Sequence, residues 1–224
     1  MSAVSDTIFM FDVGNTLLDN DQVRADLRSY LTGSYGDLVC QRFWQILETL
    51  RAELSYSDYL GTLERYRLEA LHDPTVLRMA NWLVDYPFHE RVYPNAIAVV
   101  RHTQRLGEAV ILSDGDAVFQ PRKVEKSGLW PVFGDNVPIY VHKELELADV
   151  ETHFPFRHYG IVDDKLRILD ANKRALGDRV ITVFARQGHY ATDPELLAAY
   201  APADIAIDQI RKLLDHDFAA LARR

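Results

Sequence analysis

The chain has 224 residues, 48% of them hydrophobic, with 33 acidic against 25 basic side chains and a formal charge of −8. This suits one domain with a sizeable insertion, or two small domains sharing a core; the acidic balance and the lack of any Lys/Arg run argue against nucleic-acid or membrane-surface binding. The single cysteine, Cys40, excludes an intramolecular disulfide framework and a cysteine-built zinc site and fits a reducing compartment.

The opening MSAVSDTIFMFDV lacks the basic segment and long apolar run of a signal peptide, and no stretch reaches the ~18 apolar residues of a membrane span. A soluble, cytoplasmic protein is therefore expected. The run TIFMF, residues 7–11, predicts a buried strand that delivers Asp12 into a polar turn containing Gly14, Asn15 and Thr16. Residues 20–86 then carry four segments with apolar residues at helical spacing, an all-helical block. Beyond it the pattern alternates. A helix over 96–105, closed by Gly107, feeds a strand over 109–112; a helix over 120–127, with Gly128 behind it, precedes a strand over 137–141. A helix over 145–152, a strand over 158–162, a helix over 165–176 and a strand over 179–184 follow, then helices around Pro194 and over 207–222.

Strands alternating with helices of this length predict an α/β fold with a doubly wound, Rossmann-like parallel sheet. Ligands of such sheets bind at the carboxyl ends of the strands. Asp12, Ser113, Lys143, Asp163 and Asp164 all fall just after predicted strands, which places them on one edge.

Each of these residues alone is a common turn, cap or surface residue. The adjacent pair Asp163 and Asp164 is less ordinary, because capping the next helix needs only one carboxylate. Should the fold bring Asp12 to that pair, like charges about 4 Å apart repel by roughly 4 kcal/mol at an effective dielectric near 20. A divalent cation relieves this, and an all-oxygen donor set points to Mg2+, which also engages substrate phosphate. Gly14 can add its backbone carbonyl to such a site. Ser113 can hold an anion with its hydroxyl and nearby N–H groups, and Lys143 supplies a point charge for a phosphate or a nucleophilic carboxylate.

Taken in order, FDVGNTLLD, VILSDGD, Lys143 and GIVDD resemble the four motifs of the haloacid dehalogenase-like (HAD) hydrolase superfamily. The likeness runs through essentially the whole chain, including KVEKSGL and RVITVFARQGHYA. It implies an α/β core over residues 1–18 and 88–224 and a helical cap over 19–87 that closes over the site. It also implies Asp12 as nucleophile, Thr16 and Ser113 binding the transferring group, Lys143 stabilising its charge, and a Mg2+ site of Asp12, Gly14, Asp163 and Asp164. The implied partner is a small, phosphorylated substrate.

One departure stands out. Phosphatases of this family carry a second Asp two residues after the nucleophile, which protonates the leaving group and activates water, and here that residue is Gly14. Losing a relay worth about 10²–10⁴-fold predicts slow turnover of alkyl phosphates and build-up of the covalent intermediate.

Three readings follow: a Mg2+-dependent phosphohydrolase with a substitute acid, for which Asp19 and Asp21 are candidates although both also suit helix capping; a dehalogenase or phosphonatase; or a binding protein without turnover. A phosphonatase needs a reactive cap lysine, and residues 20–86 contain none. Asp114 would repel phosphate if it pointed inward, so it is expected to face outward or cap a helix. Asn15 suits a positive-φ turn. His142, His153 and His158 have no metal-ligand spacing and read as surface or packing residues. Trp44, Tyr56, Tyr59, Tyr66 and Trp82 either line a pocket or form the cap's own core.

Overall fold

The computed structural model describes residues 6–216. The chain runs from β1 (Thr7–Phe11) into four helices, α1 (Asn20–Tyr35), α2 (Asp37–Leu54), α3 (Tyr59–Glu69) and α4 (Thr75–Asp85). Next come α5 (Ala96–Thr103), β2 (Glu108–Ile111), the two-residue β3 (Ser113–Asp114), α6 (Phe119–Lys126), α7 (Trp130–Phe133) and β4 (Ile139–Tyr140). The last described elements are α8 (Leu147–His153), β5 (His158–Asp163), α9 (Leu166–Leu176), β6 (Val180–Ala185), α10 (Pro194–Ala199) and β7 (Ile205–Ile207).

Five strands form one parallel sheet in the order β2-β1-β5-β6-β7. All five residues of β1 are buried, as expected of a strand covered on both faces. Its side chains alternate between two cores. Phe9 and Phe11 join the cluster that reaches into the helical insertion, whereas Ile8 and Met10 pack with Val110, Ile161 and Leu169 on the other face. Gly160 stands opposite Phe9 in the β1–β5 register, and a Cβ there would lie 2.8 Å from Phe9 Cδ1, so the close approach requires glycine.

The insertion folds as helices for local reasons. Asp19 caps α1 by accepting from Gln22 N at 2.9 Å, and Val23, Leu27 and Leu31 form one buried stripe at four-residue spacing. In α2 the buried face is Cys40, Phe43, Trp44, Leu47 and Leu50, and Asp58 caps α3 through Gly61 N at 2.7 Å. Trp44 and Tyr66 therefore belong to the cap's own packing, and Trp82 stacks on Tyr30 with centroids 5.1 Å apart. None of the described helices is long and apolar enough to cross a membrane.

Two expectations need correction. The segment 137–141 forms only the two-residue β4, paired with β3 in a separate ribbon, because Pro138 has no N–H to donate and the chain leaves the main sheet after Leu112. The helix expected over 207–222 gives way to β7, which pairs with β6, followed by a 3-10 run at Ile210–Asp215. Asp204 seats that strand by accepting from both Thr182 N and Thr182 Oγ1 at 2.9 Å. Residues 217–222 lie outside the described residues.

Candidate active site

The chain leaves β1 toward β2 on one side and later enters β5 on the other, so the sheet's topological switch point lies between β1 and β5. Asp12 sits there, its N–H donating to Val162 O at 2.9 Å. Asp163 is the last residue of β5 and Asp164 the first beyond it. One oxygen from each of these three lies within 4.8 Å of the others, and all three side chains are buried.

Lys143 reaches the cluster from a 3-10 turn. Its Nζ lies 2.6 Å from Asp12 Oδ1 and 2.7 Å from Asp163 Oδ2, and it also donates to Leu112 O at 3.0 Å. Burial alone would favour the free amine, yet Asp12 and Asp163 together hold the ammonium above the usual lysine range. One cation is thus shared by two of three carboxylates.

Asp163 Oδ1 closes a local turn before α9, accepting from Lys165 N at 2.8 Å, and α9 itself has no side-chain cap, so neither acidic residue caps that helix. Asp164 is the surplus carboxylate. Neither of its oxygens has a hydrogen-bond partner within the protein, although the residue is 1% exposed. Burial, with Asp163 and Asp12 adding to it against the pull of Lys165, raises it well above the ordinary carboxylate range.

Ser113 is also present. Its hydroxyl lies 3.3 Å from Asp12 Oδ1 and accepts from Gln120 Nε2 at 2.7 Å, so α6 orients it. Since Lys143 and Ser113 both address Oδ1, Oδ2 is the oxygen of Asp12 left without a donor. Thr16 is fully buried with its Oγ1 unpartnered in the turn that Asn15, at φ 55°, makes possible. Gly14 lines the cavity, and a Cβ built on it would be in ordinary contact with Asn20, 3.6 Å from its Cβ.

Asp12, Gly14, Ser113 and Asp164 floor a cavity of about 280 Å³ between the sheet edge and the helical insertion, whereas Thr16, Lys143 and Asp163 do not line it. Arg24, Arg51, Tyr56 and Tyr59 of the insertion roof it; His189, Tyr190 and Tyr200 close one side. Arg51 Nη2 donates to the Tyr190 hydroxyl at 3.0 Å, tying roof to wall.

One expectation fails, for Asp114, while Asp19 takes the helix-cap role its position suggested. Asp114 lines the cavity instead of facing outward. Its intrinsic cost of burial is overcome by Lys165, 3.5 Å away, and by Lys143, which bring it down to about 2. Asp19 is spent on its cap, and Asp21 is held by His189 (Nδ1 to Oδ1 2.7 Å) and by Asn15 (3.2 Å), so neither lies in the cavity wall. Burial raises Asp21, but His189 and Asn15 outweigh it and lower the carboxyl.

The motifs did not single out Lys123, Asn20, Lys165 and His189. Lys123 is buried, and its Nζ donates to Asn20 Oδ1 at 2.9 Å. Lys123 and His189 lay within the family-like stretches KVEKSGL and RVITVFARQGHYA without a role, and α6 carries Gln120 and Lys123 one turn apart on a single face.

No protein-family model and no curated protein matches the sequence. Solved structures do. A HAD-like hydrolase from Burkholderia xenovorans is 53% identical, with a TM-score of 0.91, over 95% of this chain and 99% of that one. A HAD-hydrolase from Bacillus subtilis, solved bound to magnesium, is 15% identical over 93% and 97% of the two chains, with a TM-score of 0.64. The L-2-haloacid dehalogenase of Xanthobacter autotrophicus is 19% identical over 92% and 96%, with a TM-score of 0.57. These last two share the fold, and the first shows the family: the chain belongs to the haloacid dehalogenase-like hydrolases.

Proposed function

We propose that the protein is a Mg2+-dependent phosphohydrolase acting on a small phosphorylated metabolite through an aspartyl-phosphate on Asp12. One observation carries this reading: Asp164 is buried beside Asp12 and Asp163 with both oxygens unpartnered, a state that asks for a cation. Asp12, Asp163, Asp164 and the Gly14 carbonyl would hold it, a hard all-oxygen set suited to Mg2+. When bound, the ion would neutralise part of the cluster's charge and draw electron density from phosphoryl oxygens.

The chain's own groups do the rest. Lys143 orients Asp12 through Oδ1, which leaves Oδ2 to attack phosphorus as the bond to the leaving oxygen breaks. Ser113, aligned by Gln120, offers its hydroxyl to a phosphoryl oxygen, and the Lys143 charge stabilises the developing one. Water then attacks the aspartyl-phosphate and frees phosphate. The roof from α1, α2 and the 55–57 segment limits water entry, and its arginines favour an anionic substrate.

A dehalogenase reading has the fold likeness to an L-2-haloacid dehalogenase behind it. Displacement of halide from carbon needs no cation, however, and two further buried carboxylates would repel the departing anion. The test compares p-nitrophenyl phosphate turnover with Mg2+ and with EDTA, in wild type and Asp12→Asn. Mg2+-dependent activity lost in the variant is expected. Activity indifferent to both, or halide release from a 2-haloacid in EDTA, overturns the reading.

A further inference from the structure

An alkoxide leaving phosphorus needs a proton, and the phosphohydrolase reading, on which this inference rests, has not yet supplied one. The charged groups around the cavity sort by what holds them. Lys143 is locked between two carboxylates, and Lys165 is held protonated by Asp114 with Asp12, Asp164 and Asp163, all against its burial. Asp114 is ionised, and Asp116 is spent on α6, accepting from Val118 N at 2.9 Å and Phe119 N at 2.6 Å.

Lys123 is different. It is 5% exposed, lines the cavity, and its hydrogen bond goes to a neutral amide, Asn20 Oδ1. That amide marks a particular place. A Cβ built on Gly14 would lie 3.6 Å from Asn20 Cβ, 3.7 Å from Cγ and 4.0 Å from Oδ1. A side chain at position 14 would therefore start against Asn20, the residue whose amide oxygen accepts from Lys123 Nζ at 2.9 Å.

We propose that Lys123 is the general acid–base of this site, working in the volume that a side chain at position 14 would fill, on phosphomonoesters of aliphatic alcohols. In the first step an Asp12 oxygen bonds to phosphorus, the P–O bond to the alcohol breaks, and the departing electron pair takes a proton from the Lys123 ammonium. Alcohol and a free amine result. In the second step water attacks phosphorus, its proton passes to the amine, and the bond to Asp12 breaks to restore the carboxylate and release phosphate.

The surroundings suit a group that must hold and lose a proton. Burial brings Lys123 down to about 8, more than Asp12 at the end of β1, Asp116 before α6 and Asp114 in β3 raise it, with Lys165 before α9 pushing the same way as burial. The Phe119 ring, 5.2 Å from Nζ, adds an apolar wall without a competing proton. Both forms are thus populated near neutral pH, where a relay is most effective.

The test measures kcat/KM, which reports the first step, for an aryl ester (p-nitrophenyl phosphate) and a panel of primary alkyl phosphates. In Lys123→Met the alkyl kcat/KM is expected to fall by about 10²–10⁴ and the aryl kcat/KM far less, since nitrophenolate leaves unprotonated. The second step should stall, giving a one-equivalent burst of nitrophenolate and a trapped phosphoenzyme. Should the Met variant fail to fold, Lys123→Arg keeps the charge yet cannot give up a proton, and is expected to lose the same alkyl activity.

Equal losses on both esters, a wild type that turns over only the aryl ester, or an alkyl-specific loss in His189→Ala instead would overturn the role of Lys123. A wild type with no Mg2+-dependent turnover of either ester overturns the phosphohydrolase reading itself, a distinguishable outcome.

Discussion

Replacing Asp164 by asparagine is expected to stabilise the metal-free protein while abolishing its response to Mg2+. The carboxylate is buried, neither oxygen has a partner, and an oxygen each of Asp12 and Asp163 lies within 4.8 Å. At that separation each like-charge pair is worth about 3.5 kcal/mol at an effective dielectric of about 20. Lys143 and Lys165 offset part of this, so a net gain of about 2–3 kcal/mol on removing one charge is reasonable. A protein of this size gains about 2–4 °C in Tm per kcal/mol.

The pH dependence has a definite sign. Burial, reinforced by Asp163 and Asp12, raises the folded Asp164 above its unfolded value near ~3.9. The folded state then binds this proton more tightly, so stability falls as pH rises from the unfolded value through the folded one and stays lowered above it. Asparagine cannot ionise, and its advantage should be small at acidic pH and grow toward alkaline pH. Mg2+ should cancel the difference by stabilising wild type, by about 2.7 kcal/mol at a hundred times its Kd. Scanning calorimetry of both proteins in EDTA and in Mg2+ across this pH range gives the four curves required. A variant that melts below wild type in EDTA at alkaline pH, or keeps the Mg2+ response, refutes the reasoning.

Two further outcomes are expected. Lys143→Met removes the ammonium held at 2.6 Å and 2.7 Å by Asp12 and Asp163, and urea unfolding in EDTA should show a loss of about 3–5 kcal/mol, partly recovered with Mg2+. Gly160→Ala places a methyl 2.8 Å from Phe9 Cδ1, and the same measurement should register a loss of about 1–3 kcal/mol with activity per folded molecule retained.

Much of the site was legible because its residues stand where local signals end. Asp12, Ser113 and Asp163 each close a buried apolar run, and parallel strands put such positions on one edge. The argument about the adjacent pair is sharpened, since α9 has no side-chain cap and both oxygens of Asp164 are without a hydrogen-bond partner. The expectation for Asp114 failed for a physical reason: its orientation depends on Lys165, 51 residues away and visible only once β3 and α9 meet. For β7, local helical preference at 207 lost to the open edge of β6, whose backbone groups the strand satisfies.

By itself, then, the sequence determined the alternation of strands and helices as far as β6, the family likeness, and the charged residues at the strand ends, because hydrophobic period and turn chemistry act over a few neighbours. Only the tertiary structure decided which charges share partners. Lys143 reaches two carboxylates, Lys165 neutralises Asp114, and Lys123 meets Asn20 beside the bare backbone of Gly14. Those pairings depend on distances across 20 to 131 positions of chain and on burial that strengthens every uncompensated charge, neither of which a linear pattern contains.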